Sequence, residues 1–251
     1  MKTTVFLIIY LFSFTFISAS SLSREIRCDI YHAYIDGDMN KWERRLNHYL
    51  NADTYVFDDA ALRTLLYARY GLIGYLLGND QHEKAKNHLA SAEEQLKNLM
   101  QAYPNDASLL ALKGAFYGFK IDLNKSKVFV YGRKSMDYLD AAEKSNPDNP
   151  MVWVEKGNAK FHTPKIAGGS VDEAIRYYQK AISLFESSAS GKQCNWLYLN
   201  SLVRLAKFYN ENDQAPKALH VYNRLMEIEP DFMWVKNKLL PRQKNAMNIT
   251  S

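Results

Sequence analysis

Cysteine is scarce in this sequence, because only Cys28 and Cys194 occur among its 251 residues. Two cysteines cannot form the network of disulfides that stabilises small secreted domains. They stand near opposite ends of the chain, and in a linear solenoid each unit contacts only its neighbours. We therefore expect two buried, unpaired thiols. A disulfide between them is the alternative, since an oxidising compartment would favour it.

Catalytic and metal-binding motifs are also missing. The sequence has no nucleophile elbow, no Walker loop and no cysteine–histidine pair at metal-ligand spacing. His82 and His88 are six residues apart, which places them on nearly opposite sides of a helix, where they cannot share a zinc ion. The sequence thus predicts no enzyme, no metal site and no cofactor.

The charge of the chain is small and evenly distributed. It has 32 basic and 27 acidic residues and a formal net charge of +5. This balance favours neither a nucleic acid nor an anionic membrane surface as the partner.

The N-terminus carries the longest apolar run, Val5–Ile17, which follows Lys2 and precedes the small residues Ser18–Ser20. This order is typical of a secretory signal peptide, and the run is too short to span a bilayer comfortably. We predict a cleaved signal over residues 1–20 and an exported protein, periplasmic in a bacterium and otherwise secreted, with no membrane span after cleavage. An uncleaved membrane anchor is the alternative.

A helical hairpin is the clearest pattern in the remaining chain, between residues 202 and 230. Apolar residues recur at three- and four-residue steps on both sides of a polar turn, as in two amphipathic helices. A large, a small and an aromatic residue are followed by a small residue, an aromatic one and a closing proline: Leu202, Ala206, Tyr209, Ala218, Tyr222 and Pro230. This spacing resembles the tetratricopeptide repeat.

The same pattern recurs along the chain. Turn residues at Asp38, Asp80, Ser170 and Asp213 mark a period of about 43 residues, with two steps between Asp80 and Ser170. We predict an all-α fold, an α-α superhelix that forms one tetratricopeptide-like solenoid domain over residues 21–251. Its hairpins are expected at about 21–52, 55–104, 106–147, 150–188 and 193–230. A capping helix at about 232–240 should end before Pro241, and the polar tail beyond it should fray.

Two C-terminal segments carry a narrower resemblance. The segment Pro164–Ile175 resembles the Gly-Gly loop of exported helical-repeat proteins, including the T component of periplasmic TRAP-type solute transporters. The segment Glu229–Lys236 is similar to the closing segment of an exported bacterial repeat family. These resemblances imply a bacterial tetratricopeptide-like protein, with a transporter accessory role among its possible functions.

The Gly-Gly loop has two interpretations. Exposed amides at a helix N-terminus, with His162 nearby, could hold an anion, and the residues of that site would be Lys165, Gly168, Gly169 and Ser170. Alternatively, Ser170 and Glu173 form a capping box and the glycines permit the turn. We favour the capping interpretation, because it already accounts for these residues.

The resemblance also implies a binding groove along the first helix of each hairpin, where the family binds its ligands. Placed on this chain, that face includes Ala115, Phe119, Asn158, Phe161, Asn200, Val203, Lys207 and Asn210. Aromatic and amide groups with one lysine resemble a peptide groove or a pocket for a small acid. Most of the 17 Tyr, 12 Phe and 4 Trp residues are expected to pack within the repeats.

Architecture and the lack of catalytic motifs together favour a binding function. We predict an exported, non-enzymatic scaffold for a protein or peptide partner, located in the periplasm. The alternative is a small-ligand-binding accessory protein of a solute transporter, which would hold an organic ligand. Neither alternative involves a nucleic acid.

Overall fold

The computed structural model describes residues 19–51, 55 and 57–249, which are mostly helical and contain no strand. The predicted signal peptide lies almost entirely outside these residues, so its cleavage stays a prediction. The long α-helices within the described ranges are α1 (Ala19–Ile35), α2 (Met39–Asn51), α3 (Asp59–Gly78), α4 (His82–Ala102), α5 (Ala107–Leu123), α6 (Val128–Ser145), α7 (Pro150–His162) and α8 (Val171–Glu186). They are followed by the short α9 (Ala189–Lys192), then α10 (Trp196–Glu211), α11 (Ala215–Ile228) and α12 (Leu240–Ile249).

The helices pair in sequence as antiparallel hairpins. Five pairs pack against each other in this way: α1 with α2, α3 with α4, α5 with α6, α7 with α8, and α10 with α11. The first helices of neighbouring hairpins also pack together, as α1 does on α3, α3 on α5 and α5 on α7. The all-α superhelix of helical hairpins is therefore confirmed. No helix among the described residues combines the length and hydropathy needed to cross a bilayer.

Small residues allow the two helices of a hairpin to approach closely. Ala85, Ala174 and Ala218 are fully buried, at the positions where the repeat pattern requires a small side chain. In the last hairpin, Asp213 turns the chain with a φ of 55°, and the carbonyl of Tyr209 accepts hydrogen bonds from the turn amides.

The first and last hairpins contact each other, although a linear solenoid predicts contacts only between neighbouring units. Cys28 in α1 forms a disulfide with Cys194 just before α10, with Cα atoms 4.8 Å apart. The expectation of two unpaired thiols was therefore wrong. That expectation assumed that the two end hairpins do not touch. Instead α1 packs directly against α10, so the superhelix closes on itself.

The C-terminal segment also differs from its prediction. A turn of π-helix, Val235–Leu239, leads into α12, so the capping helix does not end before Pro241. Pro241 instead lies inside this continuous helical run, where it cannot donate the usual backbone hydrogen bond, and the π-helical turn directly precedes it. Gln243 is buried, accepting a hydrogen bond from Asn210 and donating one to the carbonyl of Ala215. The expected fraying is therefore wrong for this part of the tail.

Candidate functional site

A polar network crosses the interior between the first helices of three hairpins. Glu155 in α7 is 5% exposed, and its Oε1 atom accepts hydrogen bonds from the hydroxyl of Tyr70 in α3 and from Nδ2 of Asn158. The Tyr178 hydroxyl donates to Oδ1 of Asn158 at 2.7 Å. Because Glu155 and Asn158 lie three residues apart on α7, both project from one face of that helix.

Arg204 in α10 joins this network to the surface. Its Nη2 atom lies 3.4 Å from Oδ1 of Asn158 and 3.0 Å from Nε2 of His162. A guanidinium only donates hydrogen bonds, so Nε2 of His162 is the acceptor and that ring is neutral in this arrangement. His162 and the nearby Lys207 are exposed, and they mark the opening of the network to solvent.

The surroundings shift the pKa values of these groups in opposite directions. Burial raises the pKa of Glu155 to about 7, although hydrogen bonds from Tyr70 and Asn158 and the charge of Arg204 oppose the shift. Desolvation, assisted by the charges of Arg204 and Lys207, lowers the pKa of His162 to about 4. Burial also lowers the pKa of Lys207. At neutral pH the opening is therefore cationic around a neutral imidazole.

Two stacked rings form the floor of this opening. Phe161 and Phe208 have centroids 4.3 Å apart and planes inclined by 25°. The Arg204 guanidinium carbon lies 5.3 Å from the Phe208 centroid, and Lys207 Nζ lies 5.5 Å from that of Phe161. Both cations are thus held over aromatic faces. We call Asn158, Phe161, His162, Arg204 and Lys207 the cationic mouth.

The residues predicted for the groove separate into two groups. The cationic mouth includes Asn158, Phe161 and Lys207, whereas Phe119 is stacked on Tyr70 with centroids 5.6 Å apart. The other predicted residues are occupied by the chain itself. Asn200 accepts a hydrogen bond from Tyr34, Asn210 donates one to Gln243, and Val203 and Ala115 are buried.

The amides of the Gly-Gly loop already have partners. The N–H groups of Gly168, Gly169 and Ser170 donate to the carbonyls of Lys165, Pro164 and Lys160. No amide of these three residues therefore remains to hold an anion. The Ser170 hydroxyl accepts from the amide of Glu173 at 3.2 Å, as the capping interpretation predicts. The capping box is incomplete, however, because the Glu173 carboxylate pairs with Lys160 instead.

Sequence reasoning missed Glu155, Tyr70 and Arg204. Arg204 lies four residues after Asn200 and three before Lys207, so the helical register that selected those two residues also contains it. Glu155 directly follows the apolar run Met151–Val154, and a carboxyl group beside such a run is a usable signal. Tyr70 gives no local signal, because its partner lies on another hairpin. Among the described residues, no three His, Cys, Asp or Glu side chains form a metal-binding group.

Comparison with known proteins identifies the architecture. No family model matches the chain, and no curated protein matches it. The HusA haemophore from Porphyromonas gingivalis is structurally similar, with a TM-score of 0.60, 17% identity, and 78% of this chain and 96% of that chain covered. A thermophilic TPR protein from Thermus thermophilus gives a TM-score of 0.54 and 17% identity over 92% of this chain and 99% of that chain. The chain thus has a tetratricopeptide-like fold.

Proposed function

We propose that this chain is an exported, non-catalytic binding protein whose cationic mouth holds a carboxylate on a protein or peptide partner. The observation that carries the proposal is the arrangement of Arg204 and Lys207 over the rings of Phe161 and Phe208. Among the described residues, neither cation forms an ion pair with a carboxylate. Charge-assisted hydrogen bonds to an incoming carboxylate are stronger than those between neutral groups.

The stacked rings of Phe161 and Phe208 offer a surface for an apolar part of the partner. Phe161 is half-buried, so one side of the stacked pair remains available beside the two cations. Asn158 is held by Tyr178, Glu155 and Arg204, so its amide is already oriented when a partner arrives. Preorganised groups lose little entropy on binding.

Export is supported by two independent features. The sequence begins with a predicted signal peptide, and Cys28 is bonded to Cys194. Structural disulfides persist mainly in oxidising compartments such as the periplasm. N-terminal sequencing of the natural protein should find a start close to Ser21, whereas a retained Met1 in the membrane fraction would contradict export.

A small organic acid is the second candidate ligand. The stacked phenyl rings beneath two cations also fit a flat molecule that carries a carboxylate. The similar HusA protein is a haemophore, which makes haem a reasonable probe, although a likeness at 17% identity shows the fold alone. An accessory role beside a solute transporter, as the T-component resemblance implies, is the biological setting for this candidate. That the chain catalyses no reaction stays a prediction.

A peptide-binding measurement tests the first candidate. Fluorescence anisotropy should be recorded against a peptide library in which each sequence is present as a C-terminal acid and as an amide. Arg204→Ala combined with Lys207→Ala should weaken binding of the acid forms roughly 10- to 100-fold, as expected when hydrogen bonds from charged groups are lost. The matched control replaces two exposed lysines of α4, Lys86 and Lys97, with alanine and should bind like the natural chain.

Material copurified from the native source separates the two candidates. A stoichiometric protein that the mouth variant fails to retain supports a peptide-binding function. An organic acid detected by native mass spectrometry, or haem bound in titration and lost in the same variant, supports the second candidate. Equal retention by the natural chain and the mouth variant would contradict both candidates.

A further inference from the structure

Large apolar side chains are exposed together at one edge of the superhelix. Phe129 is 90% exposed and Ile166 is 99% exposed, while Val128 and Val130 beside Phe129 are 40% and 57% exposed. Single exposed apolar residues are ordinary on protein surfaces. Near-complete exposure of a phenylalanine between two exposed valines is a stronger signal, because contiguous apolar surface marks interaction sites.

The order of the helices places these residues on the same edge. Ser108, at the start of α5, is hydrogen-bonded to Asn149, the N-cap of α7, at 2.7 Å. The helices α5 and α7 pack together, so their ends lie together at the opposite edge. The turn after α5 leads to Phe129, and the turn after α7 contains Ile166. The two apolar tips therefore protrude on the same side.

Positive charge surrounds the apolar tips. Between Asp122 and Asp137 the sequence contains four basic residues and no acidic one. The basic residues of the two turns and of the first part of α6 are Lys125, Lys127, Arg133, Lys134 and Lys165. Within the described part of the chain, none of them forms an ion pair, and Lys127 and Lys134 lie instead near tyrosine rings. The small net charge of the whole chain does not indicate this local excess of basic residues.

We propose that this edge docks on an anionic lipid bilayer, with Phe129 and Ile166 entering the headgroup region. An apolar residue beside several cations is the combination that holds peripheral proteins at anionic membrane surfaces. The shape favours a bilayer over a folded acidic protein. Phe129 at the start of α6 and Ile166 in the loop after α7 are each almost fully exposed, and a fluid headgroup layer can accommodate separate protrusions.

Vesicle sedimentation tests the proposal with the natural chain. The protein should sediment with phosphatidylcholine vesicles that contain about one third phosphatidylglycerol, and much less with pure phosphatidylcholine. Phe129→Ser combined with Ile166→Ser should weaken binding roughly tenfold or more, because both apolar insertions are lost. Lys127→Gln combined with Lys165→Gln should weaken it as well, and added salt should do the same. Ile228→Ser with Met233→Ser, at partly exposed positions elsewhere, is the matched control.

Insertion has its own optical readout. A Phe129→Trp variant should show a blue-shifted emission with anionic vesicles and an unchanged emission with neutral ones. All variants should keep the helical circular dichroism of the natural chain, since the substituted side chains contact little. Absence of binding by the natural chain, equal binding by the serine variant and the control, or binding only to an acidic protein would each overturn the proposal.

Discussion

The ring of Trp196, at the start of α10, lies edge-on against the ring of Trp42 in α2, with centroids 5.0 Å apart. Tyr34 in α1 contacts both rings, and Phe232 contacts Tyr34. In an open solenoid these residues would belong to opposite ends. Here they fill the interior near the disulfide, so the concave surface that the repeat usually offers to a partner is partly occupied by the chain itself.

The disulfide should therefore be a major source of stability. It links residues separated by 166 positions, and constraining so long a loop in the unfolded chain is worth about 2 to 5 kcal/mol. We expect Cys28→Ser combined with Cys194→Ser to lower the free energy of unfolding by that amount in urea denaturation. The single variant Cys28→Ser should be about as unstable as the double. Labelling of both cysteines in the denatured natural chain without reductant would disprove the bond.

Ala218 tests the close approach of α10 and α11. The residue is fully buried, so Ala218→Leu should overpack the contact and cost about 1 to 3 kcal/mol. The neighbouring Lys217 is exposed, and Lys217→Leu should stay within about 0.5 kcal/mol. A linear solenoid would confine the damage to its last units. Because this superhelix closes, hydrogen exchange should rise in α1 as well as in α10 and α11. Full protection of α1 would contradict this coupling.

Two helical glycines should respond oppositely to alanine. A Cβ atom on Gly157 would lie 2.7 Å from Cε2 of Tyr178, whereas nothing lies within 4 Å of a Cβ on Gly118. Gly157→Ala should therefore displace the Tyr178 ring from Asn158 and cost about 1 to 3 kcal/mol despite the gain in helix propensity. Gly118→Ala should stabilise by about 0.5 to 1 kcal/mol. Thermal unfolding of both variants provides the measurement, and stabilisation by both would show that the Tyr178 packing is loose.

Much of the fold could be predicted because each hairpin encodes itself locally. The spacing of Leu202, Ala206 and Ala218 depends only on contacts within one hairpin, and the sequence therefore indicates them. Closure could not be predicted, because the contact between Cys28 and Cys194 depends on the summed curvature of all the hairpins. Small rotations between units add up along the chain, and no local pattern records their sum.

In the candidate site, too, the features set by a single helix could be predicted and those set by distant segments could not. Asn158, Phe161 and Lys207 lie on the predicted face of their own helices, and helical register places such residues well. Asn200 and Asn210 lie on that face too, but Tyr34 and Gln243 from distant segments occupy them. The pairing of Tyr70 with Glu155 could not be predicted either, because that hydrogen bond joins α3 to α7.

Glu155 in the interior and His162 at the opening should make opposite contributions to the pH dependence of stability. Glu155 keeps its proton in the folded chain up to a pKa of about 7, against an ordinary value of 4.5. The folded state then binds more protons than the unfolded state, and stability falls as pH rises through this range. His162 has its pKa lowered from 6.5 to about 4, so its contribution rises with pH between those values. The two contributions offset each other between about pH 4.5 and 6.5.

Replacing Glu155 should remove its pH-dependent contribution to stability and leave that of His162. In Glu155→Gln the amide oxygen can still accept from Tyr70 and Asn158, while the cost of a buried anion is removed. Relative to the natural chain, this variant should gain stability as pH rises from 4.5 to 8, by up to about 3 kcal/mol, since each unit of pKa is worth about 1.4 kcal/mol. Urea denaturation at several pH values measures the difference. The exposed substitution Glu94→Gln should show no such trend. A constant difference between Glu155→Gln and the natural chain would mean that Glu155 is already ionised in the fold.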